Sequence, residues 1–144
     1  EIYTLSLHDA LPISSWDKVE FKDAVFNVGH AALLTAAWAT GKWELLSWGM
    51  DDRIHQSYRA KLFPGGEVIM DRVRSIPGCL GVAISGSGPS VIALVQGKPR
   101  KVAETMCNTF SEHGVESLFF VLEGNADGAK VETSIECASK GQVA

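Results

Sequence analysis

The chain is 144 residues long, 46% hydrophobic and 21% charged, which suits one compact domain with a core of its own. A formal net charge of -4 gives no electrostatic footprint for nucleic acid, and no apolar run approaches membrane-spanning length. Cys79, Cys107 and Cys137 are odd in number, lack metal-ligand spacing and read, with no secretory signal in view, as free thiols of a reducing cytoplasm.

The opening string EIYTLSLHDALPIS, residues 1–14, reads as the translation of a sequencing-adapter oligonucleotide. The alternative is a genuine short strand and turn. Under the adapter reading, residues 1–14 add nothing to the core, the domain occupies 15–132, and the polar, small-residue stretch 133–144 frays.

Phe21, Val25, Val28, Ala32, Ala36 and Ala39 recur at steps of three and four, and Ala24, Leu33, Leu34, Ala37 and Trp38 widen that face. The spacing predicts a largely buried helix from about Glu20 to Thr40, closed by Gly41. A second helix is expected from Lys42 to Met50, with an extension through His55 left open. A third spans Gly66 to Ser75 with Val68, Ile69 and Val73 inward. Trp38 is expected in the core; Trp43 and Trp48 fit either core or an interface.

The pattern then changes to β type. Leu80–Ile84 and Val91–Val95 flank a turn made of Ser85, Gly86, Ser87, Gly88, Pro89 and Ser90. Glycines there allow backbone angles that a side chain forbids, so the tip is expected to offer N–H groups and hydroxyls to a phosphate or to another loop. A plain hairpin turn is the bland alternative. Pro99 opens a helix with Val102, Met106, Phe110 and His113 on one face, ended by Gly114. Residues 116–122 are predicted to be a strand, and Val131 to close a short last one. The order of helices, hairpin, helix and strand predicts an α+β fold, ferredoxin-like, with helices on one face of an antiparallel sheet.

Between Asp51 and Gly65 the chain places Arg53, Arg59 and Lys61 just before a Pro-Gly turn. A guanidinium at such a break suits a carboxylate or phosphate; a solvated helix end with local ion pairs explains the same residues. His55 fits a proton shuttle or a structural role, and the adjacent Asp51 and Asp52 point different ways on a helix. No nucleophile, base and orienter can be assembled, so no catalytic residue and no metal ligand is assigned.

Two stretches carry a resemblance. Ile84-Ser85-Gly86-Ser87-Gly88-Pro89-Ser90 is similar to the third motif of the GHMP kinases. Within that superfamily, Phe21-Lys22-Asp23-Ala24-Val25-Phe26-Asn27 with its Ala-Leu-rich helix resembles the homoserine kinases. So does Asp52-Arg53-Ile54-His55-Gln56-Ser57-Tyr58-Arg59 with its Leu62-Phe63-Pro64-Gly65 ending. The match runs from about Val19 to Val131. It implies the C-terminal domain of an enzyme that moves the γ-phosphoryl of ATP to the hydroxyl of L-homoserine in threonine biosynthesis. By the resemblance, Arg59 holds the amino-acid carboxylate, and Ser85, Gly86, Ser87, Gly88, Pro89 and Ser90 lie beside the phosphate loop. ATP and Mg²⁺ are then bound mainly by an N-terminal domain that this chain lacks, and a second substrate arginine is lost with it. The chain by itself is expected to be inactive. Its uncovered apolar surface is expected to self-associate, a homodimer being one outcome. Another GHMP small-molecule kinase and a non-enzymatic α+β ligand-binding module remain as alternatives.

Overall fold

A computed structural model describes residues 18–131 apart from Ser87, Ala126 and Lys130. The expectations for residues 1–14 and for the tail 133–144 lie outside the described residues.

Helix α1 runs Phe21–Thr40 and ends on Gly41, whose φ of 68° is the left-handed conformation that suits glycine as a helix stop. A short 3₁₀ turn, Trp43–Leu45, leads into α2, Leu46–Gly49. Helix α3, Gln56–Arg59, continues as a 3₁₀ turn, Ala60–Leu62. Then come α4, Gly66–Arg74, strands β1, Cys79–Ile84, and β2, Val91–Val95, and α5, Pro99–Glu112. The two strands pair antiparallel, with Ile84 opposite Val91 and an irregularity between Cys79 and Gly81. The class is α+β, helices packed against an antiparallel hairpin, as the element order predicts.

The core forms where α4 and α5 meet the hairpin. Ile69, Met70 and Val73 from α4, Val82 and Ile84 from β1, and Val102 and Phe110 from α5 make one cluster with Ala60. Burying a side chain such as Ile69 or Val73, each fully shielded, is worth about 1.5–3 kcal/mol. The stripe on α4 is Gly66, Ile69, Met70 and Val73, at helical steps of three and four. Val68, expected inward, is half-buried, because it sits a full 100° around the helix from Ile69. On α5 the shared face holds for Val102, Met106 and Phe110. His113 sits at its exposed end, with Nδ1 2.8 Å from the Thr109 carbonyl.

Several expectations fail. Helix α1 is not largely buried: Ala37 is its buried residue, while Phe21 is 83% exposed and Val25 and Val28 are open as well. Its apolar residues run around the helix, and just one side of it leans on the α2 segment. There Gly49 lies so close that a Cβ would be 2.7 Å from the Leu34 Cα. Trp38 is 53% exposed, edge-on to Trp43 at 5.2 Å between ring centroids, and so is not core. The second helix is broken after α2, because the Asp52 side chain takes up the N–H groups of residues 54, 55 and 56 and starts a new helix. Residues 116–122 form no strand, and neither does Val131. β propensity makes a strand when a neighbour supplies the hydrogen bonds, and no described strand runs beside this segment.

Candidate functional site

Asp51, Asp52 and Arg53 connect α2 to α3, and Asp52 organises that connection. Its Oδ1 accepts the N–H groups of Ile54 at 2.6 Å and His55 at 3.0 Å, and its Oδ2 accepts that of Gln56 at 2.9 Å. Asn27 of α1 donates its Nδ2 to the same carboxylate at 2.6 Å and accepts the Arg53 N–H on Oδ1 at 2.9 Å. Partial burial pushes the Asp52 carboxyl up, but the hydrogen bonds from Asn27 and from the His55, Gln56 and Ile54 amides outweigh it, so its pKa lies below the usual 3.8. Asp52 is therefore a capping group, and Asp51 points away to Arg74 at 3.4 Å.

The three basic residues of this stretch separate. Arg53 is exposed, with Cζ 3.8 Å from the Phe26 ring centroid and Nη1 3.9 Å from Asp23. Lys61 is exposed too. Arg59, the last residue of α3, is 8% exposed. Burying a guanidinium is costly unless partners share its charge, and Arg59 makes polar contacts of its own, unlike a side chain left in solvent.

The glycine turn is a six-residue connection between Ile84 and Val91. The Ser85 N–H donates to the Ser90 carbonyl at 2.8 Å, and the Gly88 N–H to the Ser85 carbonyl at 3.2 Å. Its tip thus has fewer outward N–H groups than the glycine count suggests, since these two are spent inside the loop. Gly86 and Gly88 have φ of 61° and 81°, so both positions use glycine's freedom. Phe63 and Ile84 form the floor: a Cβ on Gly88 would lie 3.4 Å from Phe63 Cε1 and 3.3 Å from Ile84 Cγ2.

Helix α3 packs on β1, and Gln56 makes the link. Its Nε2 donates to the Met50 carbonyl at 3.0 Å, and its Oε1 accepts the Ile84 N–H at 2.9 Å. The fold therefore brings the Asp52–Phe63 stretch to the foot of the Ser85–Ser90 loop, two segments more than twenty residues apart in sequence. Sequence reasoning missed Asn27, Gln56 and Phe63. An Asp ahead of a helix was a visible capping signal for Asp52, but nothing local marks a glutamine whose acceptor bond is 28 residues away.

The family model described as "GHMP kinases C terminal" matches residues 33–112. The chain belongs to the GHMP kinase C-terminal family. The match takes in the helices and hairpin just described from the middle of α1 to the end of α5, called the GHMP domain below. It is 37% identical over 119 residues to the homoserine kinase of Halothermothrix orenii, covering 83% of this chain and 37% of that one. With the homoserine kinase of Moorella thermoacetica it shares 43% identity over 99 residues, 69% of this chain and 33% of the relative. The crystal structure of a homoserine kinase from Cytophaga hutchinsonii superposes with a TM-score of 0.63 at 28% identity, covering 78% of this chain and 35% of that one. The chain thus spans a little over a third of the length of the curated relatives it matches. Among the described residues of the GHMP domain, no three His, Cys, Asp or Glu side chains converge as a metal-ligand set, and no helix is long and apolar enough to cross a membrane.

Proposed function

We propose that the GHMP domain is the C-terminal part of an ATP-dependent homoserine kinase, in which Arg59 holds the substrate carboxylate and the Ser85–Ser90 loop borders the transferred phosphoryl. The observation that supports this most is the seating of the Arg59 segment at the foot of the glycine loop, with Phe63 under Gly88 and α3 against β1. The similarity to proteins named homoserine kinase favours homoserine among small alcohols.

In this reading the domain contributes binding and orientation. A guanidinium in fixed position matches a carboxylate with two parallel hydrogen bonds and leaves the far end of a small zwitterion pointing one way. If that end is the hydroxyl, it is presented to the phosphoryl group, and positioning of this kind supplies much of the barrier reduction in phosphoryl transfer. In the same reading the loop's serine hydroxyls are the donors available to the phosphate; Ser87 lies outside the described residues. Mg²⁺ neutralises phosphate charge when bound, and in this reading its ligands and most nucleotide contacts belong to the N-terminal part of the full-length protein. The setting is the cytoplasm.

The test is turnover by the full-length protein with ATP, Mg²⁺ and a panel of small alcohols. Phosphohomoserine formation well above that of the other alcohols is expected; preference for another alcohol sinks the substrate assignment. Arg59→Ala is expected to raise KM for homoserine by about 1.5–3 kcal/mol, the loss of a charge-assisted contact. An unchanged KM in a folded variant rejects the carboxylate role. The chain by itself is expected to release no homoserine-dependent ADP.

A further inference from the structure

Gln56 spends both ends of its carboxamide on backbone groups of two other segments. The Ser85 N–H points across the hairpin to Ser90. Neighbouring N–H groups in an antiparallel strand point to opposite edges, so the Ile84 N–H faces away from β2, where no described strand lies. Gln56 Oε1 takes that edge donor at 2.9 Å, in the place of a neighbouring strand. Its Nε2 is held at 3.0 Å by the Met50 carbonyl, at the end of α2. The amide is therefore fixed at both ends and cannot flip without losing two hydrogen bonds.

Two further features give this link a direction. Gln56 begins α3 and Arg59 ends it, one turn apart and so neighbours on the same side of the helix. Gln56 is itself pinned, since its own N–H donates to Asp52 Oδ2. At the other end, Ile84 is the last residue of β1, and the Ser85–Ser90 loop starts from it. A rigid chain of bonds thus runs from the capped start of α3, through one side chain, to the root of the loop.

We propose that Gln56 is a positioning residue that sets the distance between Arg59 and the Ser85–Ser90 loop, and so aligns the substrate hydroxyl with the phosphate side of the site. The inference rests on the homoserine kinase reading given above. If the Gln56 bridge is lost, Arg59 still holds the carboxylate, but the hydroxyl is no longer kept in line. The substrate then binds and reacts poorly, and water competes for the phosphoryl group, giving ADP and inorganic phosphate in place of ADP and phosphohomoserine.

The experiment uses the full-length protein with Gln56→Met, which keeps the shape and removes both hydrogen bonds, and Gln56→Glu, which keeps the Oε acceptor for Ile84. Wild-type turnover is measured first; no phosphohomoserine from wild type would overturn the substrate reading and the proposal with it. With wild type active, Gln56→Met is expected to lower kcat about tenfold or more, with both KM values within about threefold, because small misplacements cost rate more than binding. The ratio of ADP to phosphohomoserine should rise above one in that variant, and Gln56→Glu, which keeps the bond to Ile84 but sets an oxygen against the Met50 carbonyl, should recover only part of the loss. A folded Gln56→Met enzyme with wild-type kcat and a ratio of one overturns the proposal while leaving the activity reading intact. So does a Gln56→Met protein that fails to fold, since Gln56 is then a structural residue.

Discussion

Asp52 shows how one side chain can both end a helical run and begin the next. It accepts three consecutive amides and one carboxamide, and each of those bonds favours the charged form. Its folded pKa lies below the ordinary value of 3.8, so its contribution to stability is complete above that value and is lost as pH falls through the folded one. Asp52→Ala is expected to cost about 2 kcal/mol at neutral pH, the upper end for a helix cap, and Asp52→Asn less, because an Asn oxygen still accepts. Urea unfolding at neutral pH checks the order of the two variants. The gap between wild type and Asp52→Asn should stay constant at neutral pH and shrink as the solution is acidified below about pH 4. A gap that grows on acidification would contradict the assigned direction.

At the scale of the element, the glycine loop rests on the segment that follows α3, through Phe63. Gly86 has nothing within 4 Å of a Cβ position, so its need for glycine comes from the backbone angle. Gly88 has the same kind of angle and in addition touches Phe63 and Ile84. Gly86→Ala should therefore cost about 1–2 kcal/mol, the penalty for a side chain in the left-handed region. Gly88→Ala should cost more, since Phe63 must also give way. Thermal unfolding of the pair decides it; equal midpoints would mean that Phe63 yields freely and does not form a firm floor.

At the scale of the whole molecule, many large apolar side chains among the described residues stay exposed. Phe21, Val25 and Val28 lie open along α1, and Leu118, Phe120 and Leu122 lie open after α5, Leu122 at 84%. Contiguous apolar surface in water drives association, so the isolated chain is expected to self-associate at micromolar concentration. Sedimentation of the chain across a concentration series is the check. Phe120→Asp together with Leu122→Asp should shift it toward monomer. A chain that stays monomeric throughout would contradict this expectation.

The sequence by itself determined the local structure and the family. The punctuation by Gly41, Pro99 and Gly114, the apolar stripe on α4 and the β runs either side of the glycine loop all act within a few residues, where propensity and periodicity decide. The glycine motif and the Asp52–Gly65 stretch likewise carried the family on their own, because a motif is local. What tertiary structure decided is everything that depends on a partner distant in the chain. Residues 116–122 have the composition of a strand but no described neighbour to bond with. Trp38 has the residue type of a core but little packed over it. Arg59, Arg53 and Lys61 look alike in sequence, yet one is buried and two are exposed. Gln56 lies in the motif stretch, but nothing in the sequence marks its bond to Ile84. Its role exists because folding carries the Ile84 amide to its carboxamide, and hydrogen bonds between distant segments leave no periodic trace to read.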